Sequence, residues 1–155
     1  MVFIPRDPVV QNQFLSHDSS KGTTATAGAV VSLSASEKVE TVSGTNTTPY
    51  GFLMQNVKAE SSAHPTGFRL PGDLGSSDAF TGDPVGVAHL GLYDTTYYDT
   101  GVTYTAGAAL YSNVQGRVTT TQGSDALAVQ VATAQNSLDS TAVSAGKSLR
   151  IKLLI

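Results

Sequence analysis

Two segments of this chain repeat one another. The stretch TTATAGAVVSLSASEKVETV, ending at Val42, lies without a gap on VTYTAGAALYSNVQGRVTTT, Val102 to Thr121, at an offset of 79 positions. Thr24, Thr26, Ala27, Gly28 and Ala29 fall on Thr103, Thr105, Ala106, Gly107 and Ala108, and Val39, Thr41 and Gly44 fall on Val118, Thr120 and Gly123. Lys38 meets Arg117. Each copy reads as a Thr-Ala-Gly-Ala entry, a short strand, a turn, a second Thr/Val strand and a glycine turn. Gly28 and Gly107 are expected where a strand begins or the backbone bends. Two such units pack naturally as halves of a small β-barrel or β-sandwich that buries alternate side chains. Duplication and chance similarity between two Thr/Ala-rich segments are both open at this stage.

The rest of the chain favours the same fold class. GFLMQNVKA reads as a mostly buried strand and VGVAHLGLY as another, while Asn113 to Gly116 has the chemistry of a hairpin turn. ALAVQVATA, from Ala126, could be helical on alanine content, but Val129 and Val131 tilt it toward a strand, and NSLDSTAVSAGK reads as a loop. In the closing SLRIKLLI, Leu149, Ile151 and Leu153 point one way and Arg150 and Lys152 the other. The expectation is an all-β protein with an extended N-terminal arm at 1–24, a single β domain at 25–155 and one long loop at about 61–84. In the arm, Pro5 and Pro8 argue against a helix, and its apolar residues Phe3, Ile4, Pro5, Val9, Val10 and Phe14 are expected to lie on a partner. The loop is rich in Gly, Pro, Ser and Asp, and its Phe68, Leu70, Leu74 and Phe80 are expected to contact a neighbour.

Composition removes several function classes. With 155 residues the chain makes one domain with a sizeable core, and it has no cysteine, hence no disulfide, thiol nucleophile or cysteine-based zinc site. Only 14% of residues are charged and the formal net charge is −3, so nothing suggests nucleic-acid binding. No apolar run approaches the roughly 20 residues of a membrane-crossing helix, and MVFIPRDPVVQNQF does not have the pattern of a signal peptide. Asn46-Thr47-Thr48 matches a glycosylation sequon and is given little weight without a secretory signal.

Catalytic constellations are not found. His17, His64 and His89 fall in arm, loop and strand with no metal-ligand spacing, and His89 reads as an ordinary strand residue. Asp73, Asp78, Asp83, Asp94 and Asp99 do not have the alternate spacing of a calcium loop and read as turn-capping groups or an acidic patch facing a basic partner. Glu37, Glu40 and Glu60 are the three glutamates; they cluster where the chain reads as an edge hairpin, and G-x-S-x-G and phosphate-loop patterns are missing. No enzyme, metal, cofactor or small-molecule substrate is expected. The tyrosines stand out instead: Tyr93, Tyr97, Tyr98, Tyr104 and Tyr111 fall close together, and Tyr97 and Tyr98, in a turn, are expected to be exposed and in contact with a partner.

Residues 85–155 carry a recognisable pattern. Ala106-Gly107-Ala108-Ala109-Leu110-Tyr111 is followed by Gly116-Arg117-Val118-Thr119-Thr120-Thr121, then ALAVQVATA and LRIKLLI. This passage resembles the capsid decoration, or cement, proteins of tailed bacteriophages. Where related chains often have Gly-Val after the Thr run, this one has Ala128-Val129. The resemblance implies a small β-barrel or sandwich that binds the outer surface of an assembled head as a homotrimer, having been made in the host cytoplasm. It also implies that the protein clamps neighbouring major capsid protein subunits, with no membrane or nucleic acid as partner. The alternative class is a receptor- or glycan-binding β module of a tail fibre or spike, with Tyr97, Tyr98 and nearby aspartates as the sugar-contacting groups.

Overall fold

A computed structural model describes residues 3–5, 11–18, 24–45, 47–59 and 78–155. The protein is all-β. Its strands are β1 (Phe3–Pro5), β2 (Gln11–Ser16), β3 (Val30–Leu33), β4 (Val39–Thr41), β5 (Gly51–Leu53), β6 (Asn56–Lys58), β7 (Asp78–Phe80), β8 (Pro84–Leu90), β9 (Leu92–Thr95), β10 (Ala109–Ser112), β11 (Val118–Thr119), β12 (Ala132–Ala134) and β13 (Leu149–Leu153). One short helix, α1 (Ser140–Ser144), precedes the last strand. A five-stranded sheet has the order β2-β8-β5-β3-β4, a six-stranded sheet the order β1-β9-β13-β12-β10-β11, and β6 and β7 form a parallel ribbon.

The two large sheets are copies of one plan. Omitting β1, the second sheet reads β9-β13-β12-β10-β11, which is β2-β8-β5-β3-β4 with each strand replaced by its counterpart further along the chain. Registers agree residue by residue. Ser32 pairs with Glu40 and Leu33 with Val39, as Tyr111 pairs with Thr119 and Ser112 with Val118. Val30 pairs with Phe52 and Val31 with Gly51, as Ala109 pairs with Thr133 and Leu110 with Ala132. Phe52 opposite Ala88 and Leu53 opposite Val87 become Thr133 opposite Lys152 and Ala134 opposite Ile151. Duplication, not chance composition, is therefore the reading the ladders support.

The hydrogen bonds outside the ladders repeat as well. The Ala29 amide donates to the Thr26 carbonyl at 3.0 Å, as the Ala108 amide does to the Thr105 carbonyl at 3.0 Å. Both turns need a left-handed residue, and both have one: Gly28 at φ 89° and Gly107 at φ 86°. Ala27 N–H donates to Asn56 Oδ1 at 3.1 Å, and Ala106 N–H to Ser137 Oγ at 3.0 Å. Gly86 N–H donates to Gln55 Oε1 at 3.1 Å, and Arg150 N–H to Asn136 Oδ1 at 2.7 Å. Different side chains thus satisfy the same backbone donor in each half, because the donor is fixed by the fold and only an oxygen at that place is required.

The main core lies between the sheets. Val30, Phe52 and Ala88 of the first sheet meet Tyr93, Leu110, Ala132 and Ile151 of the second. The opposite face of the first sheet is covered too: Val31, Leu53, Val85 and Val87 pack with Val57 of β6 and Ala79 of β7. A sheet buried on both faces needs apolar residues at consecutive positions, which is why AVV and VGVA do not alternate. By contrast β13 alternates strictly, with Leu149, Ile151 and Leu153 buried and Arg150 and Lys152 exposed, because its outer face meets solvent.

Three expectations need correcting. The first concerns the separate arm: β1 pairs with β9 and β2 with β8, so the described part of residues 1–24 forms edge strands of the two sheets. The cause is apolar. Phe3 is buried, with its ring stacked 4.4 Å from Tyr93 and 5.8 Å from Phe52. Second, Ala126–Gln135 is not one strand. Asp125–Ala128 forms a turn of 3-10 helix that drives Leu127 into the core, and β12 begins only at Ala132. Third, the loop NSLDSTAVSAGK contains α1, begun by Asp139, whose carboxylate accepts from the Ala142 amide at 2.7 Å.

The repeat makes a differential prediction. A Cβ on Gly107 meets nothing within 4 Å, so Gly107→Ala should lose only the left-handed strain, about 1 kcal/mol. A Cβ on Gly28 would lie 2.6 Å from Oγ1 of the buried Thr95, so Gly28→Ala should lose about 3 kcal/mol. Urea unfolding of the two variants checks the order, and equal losses would contradict it.

Candidate functional site

The tyrosine cluster closes the second repeat from within. Tyr98 donates from its hydroxyl to the Lys147 carbonyl at 2.7 Å, and Tyr104 donates to the carbonyls of Asp99 at 2.8 Å and Val118 at 3.0 Å. The two rings meet edge to face at 5.4 Å. Burial pushes the phenols of Tyr93, Tyr98 and Tyr104 above their ordinary value. The expectation that Tyr98 is an exposed contact is overturned: it is 3% exposed, because Tyr98 bridges to Val118 and its side chain fills the core. Tyr97 is half-buried. Its hydroxyl donates to the Gln115 carbonyl at 3.2 Å, and the Arg117 guanidinium carbon lies 5.6 Å from its ring centroid. Tyr97 and Tyr98 therefore do not form one exposed aromatic face.

His17 occupies the place of Tyr98 in the first repeat. It bridges to Val39 as Tyr98 bridges to Val118, and the Asp18 amide bonds the Val39 carbonyl as the Asp99 amide bonds the Val118 carbonyl, both at 2.8 Å. Burial lowers the His17 imidazole pKa, against the opposing charge of Asp18. His89 sets its ring edge-on to Tyr50, with centroids 4.9 Å apart. His64 and Asn46 lie outside the described residues.

The aspartates of the acidic interval serve local structure. Asp78 pairs with Lys58 and accepts from Asn56 Nδ2 at 3.0 Å, and these two partners, Lys58 foremost, hold its carboxyl below the ordinary value. Asp94 accepts from Arg150 Nε at 3.0 Å across β9 and β13. Asp99 accepts from the Gly101 amide at 2.9 Å and Asp83 from the Phe80 amide at 3.3 Å. Asp73 lies outside the described residues. Among the described residues no group of three or more His, Asp or Glu side chains could hold a metal ion.

Of the remaining contact residues, Phe80 is 4% exposed, a correction with the same cause as Phe3: its strand lies on the body, paired with β6. Ile4 and Pro5 have their backbones in β1, and Phe14 in β2. Val9, Val10, Phe68, Leu70 and Leu74 lie outside the described residues. What the structure adds is the base of the long excursion. The parallel β6–β7 ribbon and the Lys58–Asp78 pair bring its two ends side by side. The second repeat has α1 in the corresponding stretch, between Leu138, the counterpart of Val57, and β13.

Clefts on the described surface include a pair of interest. One of about 410 Å³ is lined by Ser32, Leu33, Glu40, Thr47, Thr48, Pro49 and Tyr50. The other, of about 310 Å³, involves Ser112, Thr119, Asn113 and Leu127. They sit at related places, since Leu33 and Glu40 of the first are the counterparts of Ser112 and Thr119 in the second. Sequence reading missed both; the repeat was the signal that could have placed them together. Comparison of the chain with protein-family models and with curated proteins gives no match.

The buried phenols fix a pH response. Unfolded tyrosines ionise near 10.0, whereas Tyr93, Tyr98 and Tyr104 resist ionisation while folded. Their contribution is full below that pH and is lost as pH rises through the folded values. The unfolding free energy, and with it the urea midpoint, should hold to about pH 9; the free energy should then fall by about 1.4 kcal/mol per pH unit for each tyrosine that ionises only on unfolding. Tyr104→Phe should cost about 1 kcal/mol at neutral pH and flatten the alkaline fall. A midpoint unchanged through pH 11 would contradict the assignment.

Proposed function

We propose that this chain is a structural virion protein that decorates the outside of an assembled phage head and clamps neighbouring major capsid subunits. The observation that carries the reading is the second repeat. The passage resembling cement proteins, from Ala106 to the terminal strand, folds as one continuous run of neighbouring strands, β11-β10-β12-β13. In this reading the body is a rigid, low-charge plug, and the excursion between Lys58 and Asp78 presents Phe68 and Leu70 to the shell from a fixed base. Tyr97 and the Val9–Val10 segment supply further contacts. Trimers seated across subunit boundaries link several modest contacts and gain through effective concentration.

The experiment is co-sedimentation of the purified chain with undecorated, expanded heads. Saturable binding near one copy per major capsid subunit is expected, and Phe68→Ser with Leu70→Ser should weaken it at least about tenfold while leaving the unfolding midpoint in place. Failure to bind any shell, with the protein folded, would overturn the proposal.

A further inference from the structure

The two related clefts differ in their polar equipment. In the second repeat the hydroxyl of Thr119, which is 2% exposed, accepts from the Thr121 amide at 3.2 Å, so its hydrogen-bonding need is met inside the chain. At the related place in the first repeat stands Glu40, and directly opposite it across the β3–β4 ladder stands Ser32. Ser32 is also 2% exposed, but its hydroxyl has no hydrogen-bond partner. An unmet buried hydroxyl costs about 1–3 kcal/mol. The two repeats thus differ here: Thr119, the counterpart of Glu40, has its hydroxyl met within the chain, whereas Ser32, whose own counterpart is Tyr111, carries an unmet hydroxyl in the wall of the larger of the two clefts.

The remaining lining fits one kind of ligand. Thr47 and Thr48 add two hydroxyls, Glu40 adds a carboxylate that accepts from two donors at once, and Pro49 and Tyr50 add apolar surface. The Tyr50 ring is steadied by His89 at 84° to its plane. A volume of about 410 Å³ falls in the range of small-molecule sites. Closely spaced donors and acceptors beside apolar surface suit a compact molecule carrying adjacent hydroxyls on an aliphatic ring. We propose that this cleft binds a single saccharide unit, with Glu40 accepting from neighbouring sugar hydroxyls and Ser32 gaining the hydrogen bond that it lacks. The site is separate from the proposed shell contacts and does not depend on them.

The test is a nuclear magnetic resonance titration of the isotope-labelled full chain with glucose, galactose, mannose and N-acetylglucosamine, each alone at millimolar concentration. At least one sugar should give saturable shifts at the amides of Ser32, Glu40, Thr47 and Tyr50. Glu40→Gln and Ser32→Ala should each weaken that binding by about tenfold, with spectra elsewhere unchanged; Thr47→Ala serves as a third variant should either disturb the fold. No saturable shift at these amides with any of the four sugars would overturn the proposal, and so would binding that the variants leave intact. Heads are not used in this experiment, so its result is independent of shell binding.

Discussion

Everything in this fold rests on the burial of one sheet against its own copy. Neither five-stranded unit could stand alone: each presents a row of large apolar side chains on the face that the other covers, Val30 and Phe52 on one side, Leu110 and Ile151 on the other. The Phe3–Tyr93–Phe52 stack ties the chain's first strand into that same interface. Because β8 passes directly into β9 at Gly91, the two units are covalent neighbours as well as packing partners, which shortens the search for their docked arrangement.

The repeat explains which differences are tolerated. Backbone donors that recur in both halves must be met, and they are met by Asn56 or Ser137, by Gln55 or Asn136, with little regard to residue type. Positions facing the shared core are apolar, but they are not counterparts: Phe52 and Ala88 face it while Thr133 and Lys152 do not, and Leu110, Ala134 and Ile151 face it while Val31, Leu53 and Val87 cover the other face of their sheet. Freedom lies where the two units are not constrained by each other, and there they diverge: a long excursion based on β6 and β7 in the first unit, a short helix in the second. The excursion with its proposed shell contacts and the proposed saccharide cleft belong to the first unit, and Tyr97 with the tyrosine-closed corner to the second.

Much of this was legible in the residues. The offset of 79 positions holds through β3, β4, β10 and β11, where turn chemistry and strand length are the same in both copies. The alternation of Leu149, Ile151 and Leu153 named the inward face of β13. Beyond these strands the repeat was hidden, because the offset changes to 81 between Phe52 and Thr133 and to 64 between Ala88 and Lys152, and the paired residues share no chemistry. Tyr98 and Phe3 were misplaced for a common reason. Turn-like or Pro-flanked sequence suggests exposure, whereas a large aromatic ring beside a sheet edge is drawn into the core. Neither cleft could be seen in a linear reading, since Glu40 and Tyr50 meet only through the folding of the β3–β4 hairpin against the entry to β5.

The central functional claim is that this body seats on the outside of an assembled shell. Electron cryomicroscopy of expanded heads prepared with and without the protein measures that directly. The account predicts extra density on the outer surface, grouped around threefold and quasi-threefold positions and large enough for the two-sheet body, with contacts reaching more than one capsid subunit. Identical maps from the two preparations, or density confined to a tail or fibre, would contradict it.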